Sequence, residues 1–465
     1  MHRAGRKSAG NQVRSAAVTA GAIAVALLAG CGNTYRPVVS AINPVGPAGQ
    51  PTKFAVAISN PAPGTPALVT IVDFSGDTVL STPSIQPNVS YFVLGNGGSS
   101  AFTINPSGAL DTFPVSNPTS LQTRDVAQTT LLAGSNPVNI TPVSGTGAGT
   151  TIFIPQTGSN SVAALNANGP SLLQNLSVGP NPNYVLGNDS APRVYALTSG
   201  SGGGAGKAVA VETTTSLPTI SNTLAVGINP VYGVMDSGNT RAYILNKGSG
   251  TVSVINVQTN ALDLATATTP VIIPVGLNPV WAVVVPTLQE VLVLNAGDGT
   301  HAGSLTVISV PLCNSVTPVT NPNCNAANPT DAVGFGTVVA TIPVGVNPVM
   351  VDALRDGSRA YIANAGNAAA GIEGSVSVVN LQSNQVTATV AGVSTPAATA
   401  DVNTSPNNVY GHPNSISATL ASPTGKVYVT SGDNKFMTIL RTDLDSVQTH
   451  VSLQGLGVRV LVTAP

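Results

Sequence analysis

Charged side chains make up only 8% of this 465-residue chain, 17 Lys and Arg against 18 Asp and Glu, for a formal net charge of −1. So sparse and balanced a set leaves no basic stripe for a nucleic-acid backbone and no acidic tail, which excludes nucleic acid as an expected partner. Catalytic signatures are missing too. The chain has no Gly-x-Ser-x-Gly elbow, no His-Glu-x-x-His and no Cys-x-x-Cys. It has four histidines, His2, His301, His412 and His450, and three cysteines, Cys31, Cys313 and Cys324. No His or acidic pair stands near Cys313 or Cys324 in sequence, so neither a metal nor a cofactor is expected. Beyond the N-terminal segment no window carries a sustained helical period of apolar residues, and the expectation is an all-β chain.

What is present is a phrase that keeps returning. Val178-Gly179-Pro180-Asn181-Pro182 recurs with small changes as Val226 to Pro230 around Asn229, Val275 to Pro279 around Asn278, and Val344 to Pro348 around Asn347. Looser copies stand at Asn88, Asn136 and Asn414, and the intervals from Asn88 onward are 48, 45, 48, 49, 69 and 67 residues. A period in the forties suits one four-stranded propeller blade, and the two long intervals fit blades with loop insertions. After Asn229-Pro230 the runs Val231–Met235, Arg241–Asn246 and Thr251–Asn256, then a Thr-rich stretch to Val275, are short, rich in Val, Ile, Thr and Tyr, and bounded by Gly, Asn and Asp. Those are four strands and their turns.

The second strands end in Tyr243-Ile244-Leu245-Asn246, Leu292-Val293-Leu294-Asn295, Tyr361-Ile362-Ala363-Asn364 and Tyr428-Val429-Thr430-Ser431. With the Val-Gly-x-Asn-Pro phrase and the third strand Val252-Ser253-Val254-Ile255-Asn256, the chain resembles the YVTN-repeat β-propeller family, well from Val178 to Val390 and again from Lys426 to Val451. The resemblance implies a propeller and, taken alone, seven blades. It implies little about activity, since propellers carry several chemistries and many binding roles.

The repeat count gives eight. Residues 53–85 lack a preceding marker and read as strands two to four of a blade, while Val458–Val462 follows a complete blade and reads as a solitary first strand. Pairing of Val458–Val462 with Phe54–Ser59 would close the ring and remove its exposed edges.

At the N-terminus Arg3, Arg6, Lys7 and Arg14 precede an apolar stretch from Ala16 to Ala29, the layout of a secretory signal. Leu28-Ala29-Gly30-Cys31 resembles the lipobox of bacterial lipoproteins, which implies a lipid on Cys31 and a cell-envelope location. The expected organisation is a signal peptide over 1–30, a flexible tether over 31–52 and a single propeller over 53–465. In an oxidising compartment a Cys313–Cys324 disulfide is expected to close the insertion between them.

The expected function is a lipid-anchored binding or scaffold module whose loop face meets an envelope protein, a glycan or a small ligand. The alternatives are a lactonase-like or quinone-dependent dehydrogenase-like enzyme, and a structural surface or adhesion protein. Fourth-to-first and second-to-third connections share one face. The candidate residues there are Asn181, Asn229, Asn278 and Asn347 of the markers, Asp298 with His301, His412, and Trp281 at the channel mouth. Each marker Asn is also expected to act as an extended hinge into its inner strand, because a following Pro disfavours the helical region.

Overall fold

Eight sheets, one per repeat and antiparallel but for a short parallel pairing of Gly392 and Val393 with Val409 and Tyr410, are arranged as the blades of a closed ring. The computed structural model describes residues 53–465 except 266–267, 314–331, 395–406, 420–423 and 464–465. Cys31, Cys324, the signal segment and the tether therefore lie outside the described residues. Among the described residues, helix is confined to four short 3-10 turns.

Blade 5 shows the unit. Pro230–Met235 is the inner strand, Arg241–Asn246 and Thr251–Asn256 follow, and the outer strand is split into Ala261–Leu262 and Ile272–Pro274. The inner strands of blades 2 to 8 are Tyr91–Gly95, Thr141–Thr146, Pro182–Leu186, Pro230–Met235, Pro279–Val285, Pro348–Ala353 and Pro413–Ala418. Blade 1 takes its inner strand from the other end of the chain. Leu456–Val462 lies antiparallel to Phe54–Asn60, pairing Ala55 with Val462 and Ala57 with Val460. The eight-blade count and its closure, read from the missing first strand and the surplus last one, are what the ring contains.

The ring is held by packing between blades. Second strands carry fully buried tyrosines, Tyr195, Tyr243, Tyr361 and Tyr428, and before three of them the basic residue two places earlier, Arg193, Arg359 or Lys426, reaches over the next blade. Arg193 donates to the Val257 carbonyl, Tyr195 to Asn260, Arg359 to the Thr442 carbonyl, and Tyr361 to Asp445 at 2.7 Å. The seam where the chain ends meet uses the same clamp, because Lys426 Nζ of blade 8 contacts Asp77 at 2.7 Å and the Phe74 carbonyl at 2.6 Å in blade 1. Closure at the seam thus repeats the chemistry of the interior interfaces.

The repeated phrase has a local cause. Asn246, Asn295 and Asn364 end their second strands fully buried, and each donates its amide to Ser or Thr side chains of the third strand, as Asn364 does to Ser375 and Ser377. Against each amide lies the Gly of the marker. A Cβ on Gly227, Gly276 or Gly345 would stand 2.6, 2.7 or 2.5 Å from the Cγ of the matching Asn. Only glycine leaves room there, which is why Val-Gly-x-Asn-Pro and the terminal Asn occur together.

Candidate functional site: the central channel

The marker asparagines are hinges, but of a different conformation from the one expected. Asn88, Asn136, Asn181, Asn229, Asn278 and Asn347 have φ between 46° and 56°, in the left-handed region that Asn tolerates better than most residues. The turn is fixed by backbone bonds. The Asn229, Asn278 and Asn347 carbonyls accept from the N–H of Lys247, Ala296 and Ala365, each at 2.9 Å. The Asn229 and Asn278 side chains are engaged as well, with Ser199 Oγ and the Gly297 carbonyl. In blade 8 the hinge is Gly411, φ 73°, followed by His412-Pro413. Asn414 instead sits in the inner strand and donates to the Gly457 carbonyl, as Asn183 does to that of Pro230.

On this marker face are two His–Asp pairs. His301 Nδ1 lies 2.6 Å from Asp298, with the His301 side chain 83% exposed, and the N–H groups of His301 and Thr300 hold the Asp298 carboxyl well below the usual carboxylate range. His412 Nδ1 lies 2.6 Å from Asp433, whose other oxygen accepts the His412 N–H. The two pairs belong to blades 6 and 8 and do not share a site. Among the described residues no group of three His, Cys, Asp or Glu could hold a metal.

The side chains that do converge come from the inner strands. Tyr184, Tyr232 and Trp281 occupy the third position after the hinge in blades 4, 5 and 6, and Tyr91 and Arg459 hold the matching places in blades 2 and 1. Tyr184 and Tyr232 have ring centroids 4.6 Å apart, and Tyr232 stacks on Trp281 at 4.2 Å and 24°. The Arg459 guanidinium lies 4.5 Å from the Tyr91 centroid and 5.3 Å from that of Trp281. Such distances are those of cation–π pairs. Burial pushes the Tyr184 and Tyr232 phenols up, so both are protonated donors at neutral pH.

Beside this layer opens a cavity of about 810 Å³ lined by, among others, Lys53, Asp189, Asp352, Arg355, Ser417 and Arg459. A smaller pocket of about 350 Å³ shares Asp352 with it and reaches Tyr184 and Tyr232. Gly97, Asn188, Arg355 and Thr463, which follow their inner strands, all line the larger cavity. The mouth therefore lies on the face of the first-to-second turns, opposite the marker face. Asp352 is its distinctive group. It accepts from the N–H of Ala418 at 2.8 Å and of Ala353 at 2.9 Å, yet burial outweighs these bonds and pushes its carboxyl up to about 6. A carboxyl that titrates near neutrality inside a cavity is unusual and suited to proton exchange or to gating a charged guest.

Sequence reasoning named Trp281 and missed Tyr91, Tyr184, Asp352 and Arg459 as a group. Reading the third residue after every hinge down the repeats would have found four of the five layer residues.

No protein-family model matches the chain, and no curated protein matches it. Solved structures do. The dihydro-heme d1 dehydrogenase NirN, in complex with DHE, superposes with a TM-score of 0.57 at 10% identity, covering 87% of this chain and 74% of that one. Apo AztD from Citrobacter koseri gives 0.53 at 13% identity, covering 88% and 97%. The likeness is one of fold. At such identities a shared propeller carries no shared chemistry, and the site must be read from its own residues.

Proposed function

We propose that this chain is a binding propeller of the bacterial cell envelope, of the YVTN-repeat kind, anchored by a lipid on Cys31, that admits a small ligand into its central cavity. The observation that carries the reading is the cavity itself: open on one face, walled by inner strands, and joined through Arg459 to the stacked aromatic layer beside it. Concave, partly apolar sites with a few placed polar groups are what small-molecule binding requires. The insertion after Ala302–Ser309 belongs to the same reading, with Cys313, buried at 5% exposure, joined to Cys324 as suits an exported protein. Lys53, where the described chain begins, lies on the cavity wall.

Trp281 is the only tryptophan in the chain and lies in the aromatic layer beside the cavity, 5.3 Å from the Arg459 guanidinium, so its fluorescence reports on the site without a label. A panel of small neutral, cationic and anionic molecules should contain at least one that changes Trp281 emission saturably and raises the unfolding temperature in parallel. If none does so, while the protein still retains envelope proteins on affinity capture, the ligand-binding reading gives way to a scaffold role.

One observation favours a second reading. Asp352, at about 6, has the property of a general acid or base, as an enzyme of the lactonase-like class would need. Loss of a hydrolytic activity in Asp352→Asn, with ligand binding retained, would establish it.

A further inference from the structure

We propose that the guest of the central cavity is a small organic carboxylate, held by the Arg459 guanidinium. This rests on the ligand-binding reading above and narrows it to one chemical class.

Arg459 is the reason. Its guanidinium lies in the aromatic layer, lines the cavity, and its Nε is buried with no hydrogen-bond partner. Among the described residues no carboxylate lies within ion-pair distance of it. Cation–π contact with Tyr91 and Trp281 offsets part of the cost of removing a charge from water, but it leaves the buried Nε–H without an acceptor. A bare aromatic layer of this composition would attract a cationic guest. With a guanidinium already in that place, the complementary guest is an anion, and a planar fork matches a carboxylate with two parallel hydrogen bonds. The Tyr184 phenol donates to that of Tyr232, which leaves the Tyr232 hydroxyl as a further donor, and the ring faces suit an apolar body.

The other charges of the cavity agree. Lys53 and Arg355 are further cations on its wall. Of the two carboxylates there, Asp189 accepts from the Ser144 N–H, and Asp352 accepts from the Ala418 and Ala353 N–H groups. Both are committed to backbone donors rather than to Arg459.

Benzoate, benzamide and benzamidine share one shape and differ in charge, and together they test the inference on the full chain by Trp281 fluorescence. Benzoate should bind saturably, and benzamide and benzamidine at least about tenfold more weakly, the worth of one charge-assisted hydrogen bond. Arg459→Gln should remove that preference. Should Arg459→Gln fail to fold, Arg459→Lys serves instead: it keeps the charge but loses the fork, and benzoate affinity should drop several-fold. Equal binding of the three probes, preference for benzamidine, or unchanged benzoate affinity in the folded variant would overturn the inference. Binding of benzamide or benzamidine in place of benzoate would leave the ligand-binding reading standing, whereas silence from all three and from the wider panel would remove both.

Discussion

Ending the chain at Gly455 would delete the inner strand of blade 1 and open the ring. Val460 and Val462 are 0% and 7% exposed, and Val458 and Leu461 pack half-buried against the first sheet. At about 1.5–3 kcal/mol per fully buried side chain, and half that for the other two, the loss is roughly 4–9 kcal/mol from apolar burial, an upper range because the unfolded chain is not fully extended. The ladder with Phe54–Asn60 and the bonds from Asn414 to Gly457 and between Ser415 and Val460 add about 0.5–1.5 kcal/mol each. Against a typical total of about 5–15 kcal/mol, this is most or all of the stability. Urea unfolding followed by circular dichroism should show a truncated protein that is unfolded or far weaker. Added peptide of residues 456–465 should restore part of the transition, and Val460→Ala in the full chain should cost only about 1–3 kcal/mol. A truncated protein within about 1 kcal/mol of the full chain, far below the loss that burial implies, would refute the closure argument.

Four further outcomes are expected, two from this geometry and two from the sequence. For Asp352 burial raises the native carboxyl to about 6, above the usual aspartate value of about 4, so the native state holds the proton more tightly and the ionised carboxylate weakens the fold above pH 6 but not below about pH 4. Asp352→Asn should therefore raise stability at pH 8 by on the order of 1–2 kcal/mol, read as a higher unfolding temperature, with the gain shrinking towards pH 4; a gain independent of pH would contradict the burial argument. Gly345→Ala drives a methyl into the Asn364 amide and should cost about 1–3 kcal/mol, much of it recovered when Asn364→Ala is added, and a strictly additive double mutant would deny the contact. Cys31→Ser should abolish palmitate labelling and leave an uncleaved or soluble product; continued labelling would exclude Cys31 as the lipid site. Non-reducing mass mapping of protein from the envelope should find Cys313 bridged to Cys324, and two free thiols would count against an oxidised insertion.

The amino-acid sequence by itself determined the blade. Short Val, Ile and Thr runs, turn residues at fixed offsets and a recurrent Val-Gly-x-Asn-Pro are local instructions, legible because strand alternation and turn chemistry act over a few residues. Counting those instructions was enough to show that the first blade lacked a strand that the last residues could supply. The hinge conformation was misjudged for an equally local reason: the rule for a residue before Pro yields when the Asn carbonyl must meet the N–H that follows the neighbouring strand, as with Asn229 and Lys247. The channel was a different matter. Tyr91, Tyr184, Tyr232, Trp281 and Arg459 are spread over almost the whole chain, and none is remarkable beside its sequence neighbours. They meet because a closed ring aims one position of every inner strand at a common axis. How deep Arg459 lies, and that Asp352 rather than a loop histidine is the titratable group of the cavity, depend on distances across that axis, which no local pattern encodes.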